Sequence, residues 1–186
     1  MKEIITFFYP QDDDLRRTLV DHSQKVCRKA LQIAENSRLD IDIKLVTEGA
    51  LLHDIGIFKC HAPDIFCNGN APYITHGIIG GKLLREYGAA HGMDLEKYAR
   101  ICERHTGSGL SVEDIRLQKL PLPERDFLPE TLEEKLVCLA DKFFSKSADS
   151  KEKTLDEIRH SMSKFAPESL ERFEELCRIF KIEENR

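Results

Sequence analysis

The 186-residue sequence lacks several features that mark particular classes of protein. None of its apolar runs approaches the roughly 20 residues needed to cross a bilayer, so we expect no membrane association. Its 33 acidic residues outnumber its 28 basic residues and give a net charge of −5, which argues against a broad surface for nucleic acid. The N-terminal stretch MKEIITFFYP has neither a long apolar segment nor a small-residue cleavage site, so no secretory signal is expected and the predicted location is cytoplasmic.

The six cysteines contain no C-x-x-C pair, which excludes a zinc ribbon and a thioredoxin-type motif. In a reducing cytoplasm we expect free thiols rather than disulfides. Cys60, His61 and Cys67 resemble half of a zinc site, but no second pair completes it. The better interpretation is that the cysteines are small, buried core residues.

What the sequence contains in abundance is helical periodicity. Hydrophobic residues make up 41% of the chain and charged residues 33%, as in an ordinary globular domain. Apolar side chains recur every three or four positions through most of the chain, which predicts an all-α, single-domain helical bundle. Helices are expected over 14–35, 42–56, 75–87 and 94–105, from 131 onward, and over 154–165 and 167–181.

The helix ends and connections carry their own signals. Gly56 is expected to end the second helix in the left-handed conformation. Thr131 and Glu134 have the spacing of a capping box at the start of a later helix. Residues 57–73 and 107–130 are predicted to be long connections, and the one strand candidate is IITFFY near the N-terminus.

Six polar residues lie where the predicted helices should bury apolar side chains. Four histidines each share the apolar stripe of a different helix, one aspartate follows a histidine at a helix end, and a second aspartate lies on a buried helical face. A single histidine in such a position is more often a hydrogen-bonded core residue than a ligand. The six residues are His22, His53, Asp54, His76, His105 and Asp141.

Taken together, the six residues are better explained by a metal site. Burying two carboxylates without compensation costs several kcal/mol each, and divalent cations supply the missing positive charge. Imidazole and carboxylate ligands suit iron, manganese, zinc, cobalt or nickel. His53 and Asp54 can both reach an ion from a helix end, where the partial negative charge of the helix C-terminus favours a cation. Asp54 has two oxygens with which to bridge two ions.

The order of these residues resembles that of the HD superfamily of metal-dependent phosphohydrolases. His22, followed by LLHDIG, THG, RHTG and LADK, is similar to the family pattern over residues 15–147, with HDIG as the subgroup spelling. The resemblance implies an HD-domain bundle with a binuclear metal site in its core. Outside this region, residues 1–14 are expected to form an N-terminal extension and residues 148–186 to form C-terminal helices that pack on the same domain. The segments HTG and LADK are similar to those of small HD hydrolases that cleave dinucleoside polyphosphates.

The resemblance further implies a ligand set and a metal content. Two divalent ions are expected from among Fe, Mn, Zn, Co, Ni and Mg, with Fe or Mn favoured. The expected ligands are His22, His53, Asp54 and Asp141 for the first ion, and His76, His105 and the bridging Asp54 for the second.

Such a centre predicts hydrolysis of a phosphate ester or anhydride, with a nucleotide or another small phosphorylated metabolite as substrate. A metal-activated hydroxide is the expected nucleophile, since a bound metal lowers the pKa of water to about 7. Asp54 is the expected catalytic residue because it would bridge the ions and orient the attacking water.

Basic residues near the motifs are expected to bind the substrate phosphate. Lys142 adjoins Asp141, and Lys59 is displaced because the chain reads HDIGIFK where such proteins often read HDIGK. These two lysines are the predicted substrate contacts. Further candidates are Lys82, Arg104, Arg125 and Lys146.

Two other functions remain open at this point. The same ligand set resembles that of mixed-valent di-iron oxygenases of the HD fold, and the loops 57–73 and 107–130 would decide which organic substrate reaches the cluster. A catalytically idle nucleotide-sensing module is the second alternative, although the complete ligand set argues against it. The helices over 154–181 could pack against the core or against a second copy, which would form a homodimer.

Overall fold

A computed structural model describes residues 1–147, 151–164 and 167–182. Within these ranges the chain is mainly helical, which confirms the all-α class. None of the helices in the described ranges combines the length and apolarity that a bilayer crossing requires. The α-helices of the described ranges, in chain order, are α1 Lys2–Phe8, α2 Asp14–Ser37, α3 Ile43–Leu52, α4 His76–His91, α5 Glu96–Arg104, α6 Val112–Leu117, α7 Leu132–Asp141, α8 Leu155–Met162 and α9 Pro167–Ile179.

The connection between α3 and α4 is built from short turns. It contains the 3₁₀ segments Ile57–Lys59, Pro63–Ile65 and Tyr73–Thr75. Two strands of two residues each, β1 (His61–Ala62) and β2 (Cys67–Asn68), pair antiparallel. They flank the second of these 3₁₀ segments. This small hairpin brings the chain from the end of α3 to the start of α4.

Two clusters of buried apolar side chains form the core. The first joins α2, α3, α5, α7, α8 and α9 and includes Val26, Ala50 and Ile101. The second joins α1, the start of α2, the turn after α3, and parts of α4 and α5, and it includes Leu19 and Leu52. Because α2, α3 and α5 contribute to both clusters, a polar side chain on these helices between the two clusters has apolar neighbours on either side.

The strand candidate IITFFY is not a strand, since residues 4–8 lie in helix α1 and Tyr9 follows it. β-branched and aromatic side chains favour strands only where a sheet is available to receive them. Here Ile4 and Ile5 pack into the second cluster together with Tyr9, which follows the helix. Burial of one helical face therefore overrides the local preference.

The expectation for Gly56 is also wrong. Helix α3 already ends at Leu52, and Gly56 has φ −85° and ψ −7°, which any residue can adopt. Glycine is required there for space, because a Cβ would lie 2.3 Å from the carbonyl oxygen of His76 and 2.5 Å from the amide nitrogen of Gly80. The absence of a side chain at Gly56 lets the start of α4 pack directly against this turn.

Other local expectations agree better with the structure. Thr131 and Glu134 form the predicted capping box of α7. The helix predicted over 75–87 extends to His91, where Gly92 ends it in the left-handed conformation with φ 66°. The expected burial of the cysteines is confirmed, since all six are free and buried. Among the described residues, no group of potential metal ligands includes a cysteine.

Candidate metal centre

Three of the four buried histidines lie directly after a helical segment. His53 follows α3, His105 follows α5, and His76 follows the last 3₁₀ turn before α4. At each of these ends the imidazole Nδ1 donates to the carbonyl three residues earlier, and the carbonyl of Tyr73 also accepts from the backbone amide of His76. The acceptors are the carbonyl oxygens of Ala50 for His53 (2.7 Å), Tyr73 for His76 (2.7 Å) and Cys102 for His105 (2.8 Å).

These hydrogen bonds decide what the second nitrogen of each ring can do. A neutral imidazole with its proton on Nδ1 carries a lone pair on Nε2. Histidines that bind metals commonly use the other nitrogen in this way, because the bond fixes the orientation of the ring. Each of the three rings is therefore held in place with Nε2 available to a ligand.

Asp54 lies at the centre of the cluster and is fully buried. Its Oδ2 lies 3.3 Å from Nε2 of His22 and 3.0 Å from Nε2 of His53. Its Oδ1 lies 3.3 Å from Nε2 of His76 and 3.4 Å from Nε2 of His105. The two oxygens of one carboxylate thus face two different pairs of imidazoles.

Asp141, the last residue of α7, completes the group on the Oδ2 side. Its Oδ1 lies 2.9 Å from Nε2 of His22 and 3.5 Å from Nε2 of His53. The cluster therefore contains two groups whose ligand atoms lie within 4.8 Å of one another. These are His22, His53, Asp54 and Asp141 in one group, and Asp54, His76 and His105 in the other. The structure thus brings together all six residues that the sequence singled out.

The Oδ1 group has the chemistry of a cation site. Nε2 of His76 and Nε2 of His105 are 3.0 Å apart, although both rings already donate from Nδ1 to a carbonyl. Two lone pairs therefore face each other beside the Oδ1 of Asp54. A cation between these atoms would offset the repulsion among them, and the six residues fit a divalent ion in both donor type and arrangement.

Unpartnered buried atoms support the same fit. Neither oxygen of Asp54 accepts a hydrogen bond of good geometry, and Nε2 of His53 also lacks one. Leaving a buried polar atom without a partner costs about 1–3 kcal/mol, and more when the group is charged. The coordination of an ion would satisfy these atoms.

The pKa values show how charge is distributed when no ion is bound. Burial alone would lower the pKa of His53, but the carboxylates of Asp54 and Asp141 outweigh it and raise this pKa to about 9. Burial lowers the pKa of His76 to about 3, and it also lowers the pKa of His105. Burial acts to raise the pKa of Asp54, yet the charges of His53 and Lys146 hold it well below its usual range. Metal binding would therefore release a proton from His53.

Two lysines beyond the end of α7 reach the carboxylates. Nζ of Lys142 lies 2.9 Å from Oδ2 of Asp141, and Nζ of Lys146 lies 2.8 Å from Oδ2 of Asp54. Both side chains are 13% exposed. Lys142 was singled out from its position beside Asp141, whereas Lys146 was one of several weaker candidates. Helical spacing could not place Lys146, since it lies five residues after the last residue of the helix.

Tyr73 is a site residue that the sequence does not reveal. Its ring stacks on the imidazole of His76, with centroids 4.8 Å apart and an interplanar angle of 23°. Nζ of Lys146 lies 5.8 Å from the centroid of the same ring. Tyr73 is partly exposed, so it lies between the buried histidines and solvent. The one available signal was its position three residues before His76.

The other basic candidates contact different groups. Nζ of Lys59 lies 5.0 Å from the ring centroid of Phe58. Lys59 and Lys82 line a cavity of about 720 Å³ between the hairpin connection and α4. Arg104 pairs with Glu130, and Arg125 with Glu103.

The seven histidines divide cleanly by burial. The four in the cluster have at most 4% of their surface exposed, whereas the other three lie at the protein surface. The exposed ones are His61, His91 and His160. They are therefore natural controls for any experiment on the cluster.

Comparison with known proteins identifies related sequences. Residues 19–145 match the family model of the HD domain. The chain is 40% identical over 126 residues to an uncharacterized protein of Methanocaldococcus jannaschii, in a match that covers 66% of this chain and 64% of that protein. It is 38% identical over 133 residues to a tRNA (cytidine(56)-2'-O)-methyltransferase of Picrophilus torridus, covering 72% of this chain and 32% of that enzyme. The matches thus span just under two thirds of the first relative and about a third of the second.

Among solved structures, the chain is similar to the HD domain of the L. monocytogenes phosphodiesterase PgpH. The TM-score is 0.49 at 17% sequence identity, and the alignment covers 89% of this chain and 91% of that domain. The same domain in complex with cyclic-di-AMP gives a TM-score of 0.48 at 18% identity.

Divalent ions should stabilise this protein through Asp54. At a Mn²⁺ concentration of about 100 times Kd, we expect the free energy of unfolding to rise by about 2.7 kcal/mol, measured by urea denaturation with and without a chelator. Asp54→Asn should abolish the increase because it removes the charge shared by both groups. Asp64→Asn, which changes an exposed carboxylate, should retain it. An undiminished increase in Asp54→Asn would show that Mn²⁺ binds elsewhere.

Proposed function

The chain belongs to the HD-domain family, and from that premise we propose that it is a metal-dependent phosphohydrolase. Its substrate would be a phosphate ester or anhydride, either a nucleotide or another small phosphorylated metabolite. The observation that carries the proposal is the carboxylate of Asp54, whose two oxygens face separate pairs of buried imidazoles.

The two groups around Asp54 support a binuclear centre. The group on the Oδ2 side would hold one ion through His22, His53 and Asp141, and the group on the Oδ1 side would hold a second through His76 and His105. Two divalent ions so bound would activate water and clamp the attacking and leaving oxygens of a phosphoryl group. Nitrogen and oxygen donors suit iron, manganese, zinc, cobalt or nickel, among which we propose iron or manganese.

The chain's own residues prepare the centre for this chemistry. The backbone carbonyls that accept from Nδ1 hold the imidazoles of His53, His76 and His105 in fixed orientations. Asp54 is enclosed by apolar clusters, which exclude bulk water and strengthen electrostatic interactions within the site. We assign Asp54 the catalytic role of orienting the attacking water, because its carboxylate is shared by both groups.

Lysines at the edge of the cluster support an anionic substrate. Lys146 and Lys142 place two ammonium groups next to the carboxylates of Asp54 and Asp141. We assign both lysines to binding the phosphate, with the partly exposed ring of Tyr73 beside Lys146. Lys59 stays a predicted contact for a more distant part of the substrate, since it lines the cavity next to α4.

A binuclear centre predicts a specific change in metal content for His76→Ala. We expect wild-type protein to bind two Mn²⁺ ions and the variant to bind one, because the second group would lose one of its three ligands. Elemental analysis after equilibrium dialysis measures the stoichiometry. His91→Ala, at the opposite end of the same helix, should retain two ions. Two ions in His76→Ala would rule out the assignment of the second group.

The role of Lys146 can be separated from metal binding. Lys146→Met should lower kcat/KM by about 10- to 100-fold, since a hydrogen bond to a charged group contributes about 1.5–3 kcal/mol. The metal content should stay at two ions. Lys44→Met is the matched control, because Lys44 is exposed near the start of α3, at the opposite end of that helix from His53. A kcat/KM within twofold of wild type in Lys146→Met would remove this lysine from the substrate site.

The proposed activity is tested by a screen of phosphorylated compounds. Protein loaded with Mn²⁺ or Fe²⁺ is incubated with phosphomonoesters, phosphodiesters and dinucleoside polyphosphates, both in air and under nitrogen. We expect release of phosphate or nucleotide that is independent of oxygen and is lost in His53→Ala. Oxygen uptake coupled to turnover would identify an oxygenase instead. Tight nucleotide binding without turnover under any metal would identify a sensor.

A further inference from the structure

Helix α1 and Tyr9 lie before the region that matches the HD family model, which begins at residue 19. They nevertheless contact the turn that carries the metal-ligand candidates. We propose that Tyr9 is a positioning residue for the metal centre, which it serves by holding the turn after His53 and Asp54 in the conformation that directs Asp54 at both groups of imidazoles. This inference rests on the metal site of the proposed function.

The hydroxyl of Tyr9 bridges two backbone groups of this turn. It donates a hydrogen bond to the carbonyl oxygen of Ile55 (2.9 Å) and accepts one from the amide nitrogen of Phe58 (3.4 Å). Tyr9 is 4% exposed, so water does not readily replace the hydroxyl. One side chain from outside the turn therefore satisfies both a donor and an acceptor within it.

The hydroxyl of Tyr9 takes the place of one backbone hydrogen bond in this turn. Four amides of the turn donate to the carbonyl three positions earlier: Ile55 to Leu52 (2.9 Å), Ile57 to Asp54 (3.0 Å), Lys59 to Gly56 (3.2 Å) and Cys60 to Ile57 (2.9 Å). The bond in the same series from Phe58 to Ile55 is replaced by the hydroxyl of Tyr9. The hydroxyl of Tyr9 thus lies between the amide of Phe58 and the carbonyl of Ile55, which would otherwise approach each other to form a direct hydrogen bond.

Helix α1 fixes the position of the hydroxyl. Ile4 and Ile5 are buried in the second apolar cluster, and the amide of Tyr9 donates to the carbonyl of Ile5 (2.8 Å). The ring of Tyr9 packs edge-on against Phe58, with centroids 5.2 Å apart. Because the backbone and ring of Tyr9 are both anchored, the hydroxyl is held without help from the residues of the metal centre.

The conformation of this turn matters because it sets the backbone from which the Asp54 side chain extends. Lys146 pairs with Oδ2 of Asp54 (2.8 Å), but neither oxygen accepts a hydrogen bond of good geometry, so the backbone on either side contributes to the direction of the carboxylate. Ile55 is the next residue along the chain. Loss of the hydroxyl would leave Ile55 and Phe58 to bond to each other, and closing that bond would move the backbone next to Asp54. Partners that orient metal ligands typically affect metal affinity by about 10- to 100-fold.

The test compares Tyr9→Phe with Ile4→Val in the full-length protein. Both variants weaken the docking of α1, but Ile4→Val keeps the hydroxyl. We expect Tyr9→Phe to raise the Kd for Mn²⁺ by about tenfold and to change the EPR spectrum of the bound Mn²⁺. Ile4→Val should leave the Kd and the EPR spectrum near wild type. It should nevertheless lower the urea midpoint of the metal-free protein by about as much as Tyr9→Phe does. These readouts do not depend on turnover.

The outcomes separate the two proposals. An unchanged Kd in Tyr9→Phe would overturn the positioning role and leave the hydrolase proposal standing. An equal increase in Kd for Tyr9→Phe and Ile4→Val would also overturn it, because the effect would then come from general destabilisation. Tight Mn²⁺ binding without phosphate release in the wild type would overturn the hydrolase and leave the role of Tyr9 intact. A wild type that binds no Mn²⁺ would overturn both.

Discussion

The interaction on which the rest of this structure depends is the burial of one carboxylate between two pairs of imidazoles. Asp54 has no exposed surface, and the folded chain brings four histidine nitrogens within 3.0–3.4 Å of its oxygens. Such a concentration of lone pairs and negative charge is unfavourable in an apolar core unless positive charge is brought to it. Lys142 and Lys146 supply part of that charge in the metal-free protein, and bound divalent ions would supply more.

Three of the four histidines in the cluster share one local arrangement, in which the histidine lies at the end of a helical segment. His53, His76 and His105 each donate from Nδ1 to a carbonyl three residues earlier, so the backbone that ends the segment also orients the ring. The partial negative charge of a helix C-terminus favours a cation nearby. Asp141, at the end of α7, brings a further helix end to the same point.

Close approach between backbones decides whether these helix ends can meet. Gly56 and Gly77 are positions where a Cβ would lie 2.3 Å and 2.4 Å from carbonyl oxygens of neighbouring segments. Both contacts involve the start of α4, which carries His76, and one of them involves the end of α5, which leads to His105. Tyr9 acts on the same region from the other side, through the turn that carries Asp54. Segments that are distant in sequence therefore jointly determine the geometry of a single candidate metal centre.

From its sequence alone, this protein could be recognised as an all-α bundle with six polar residues on buried faces, because helical periodicity reports which face of a helix is buried. Periodicity does not report what lies opposite that face. The approach of Lys146 to Asp54 and the stacking of Tyr73 on His76 were decided by tertiary packing, since both residues lie outside the α-helices, where periodicity gives no information. Tertiary packing also accounts for α1, where strand-forming residues became a helix whose buried face packs into the same cluster as Ile55.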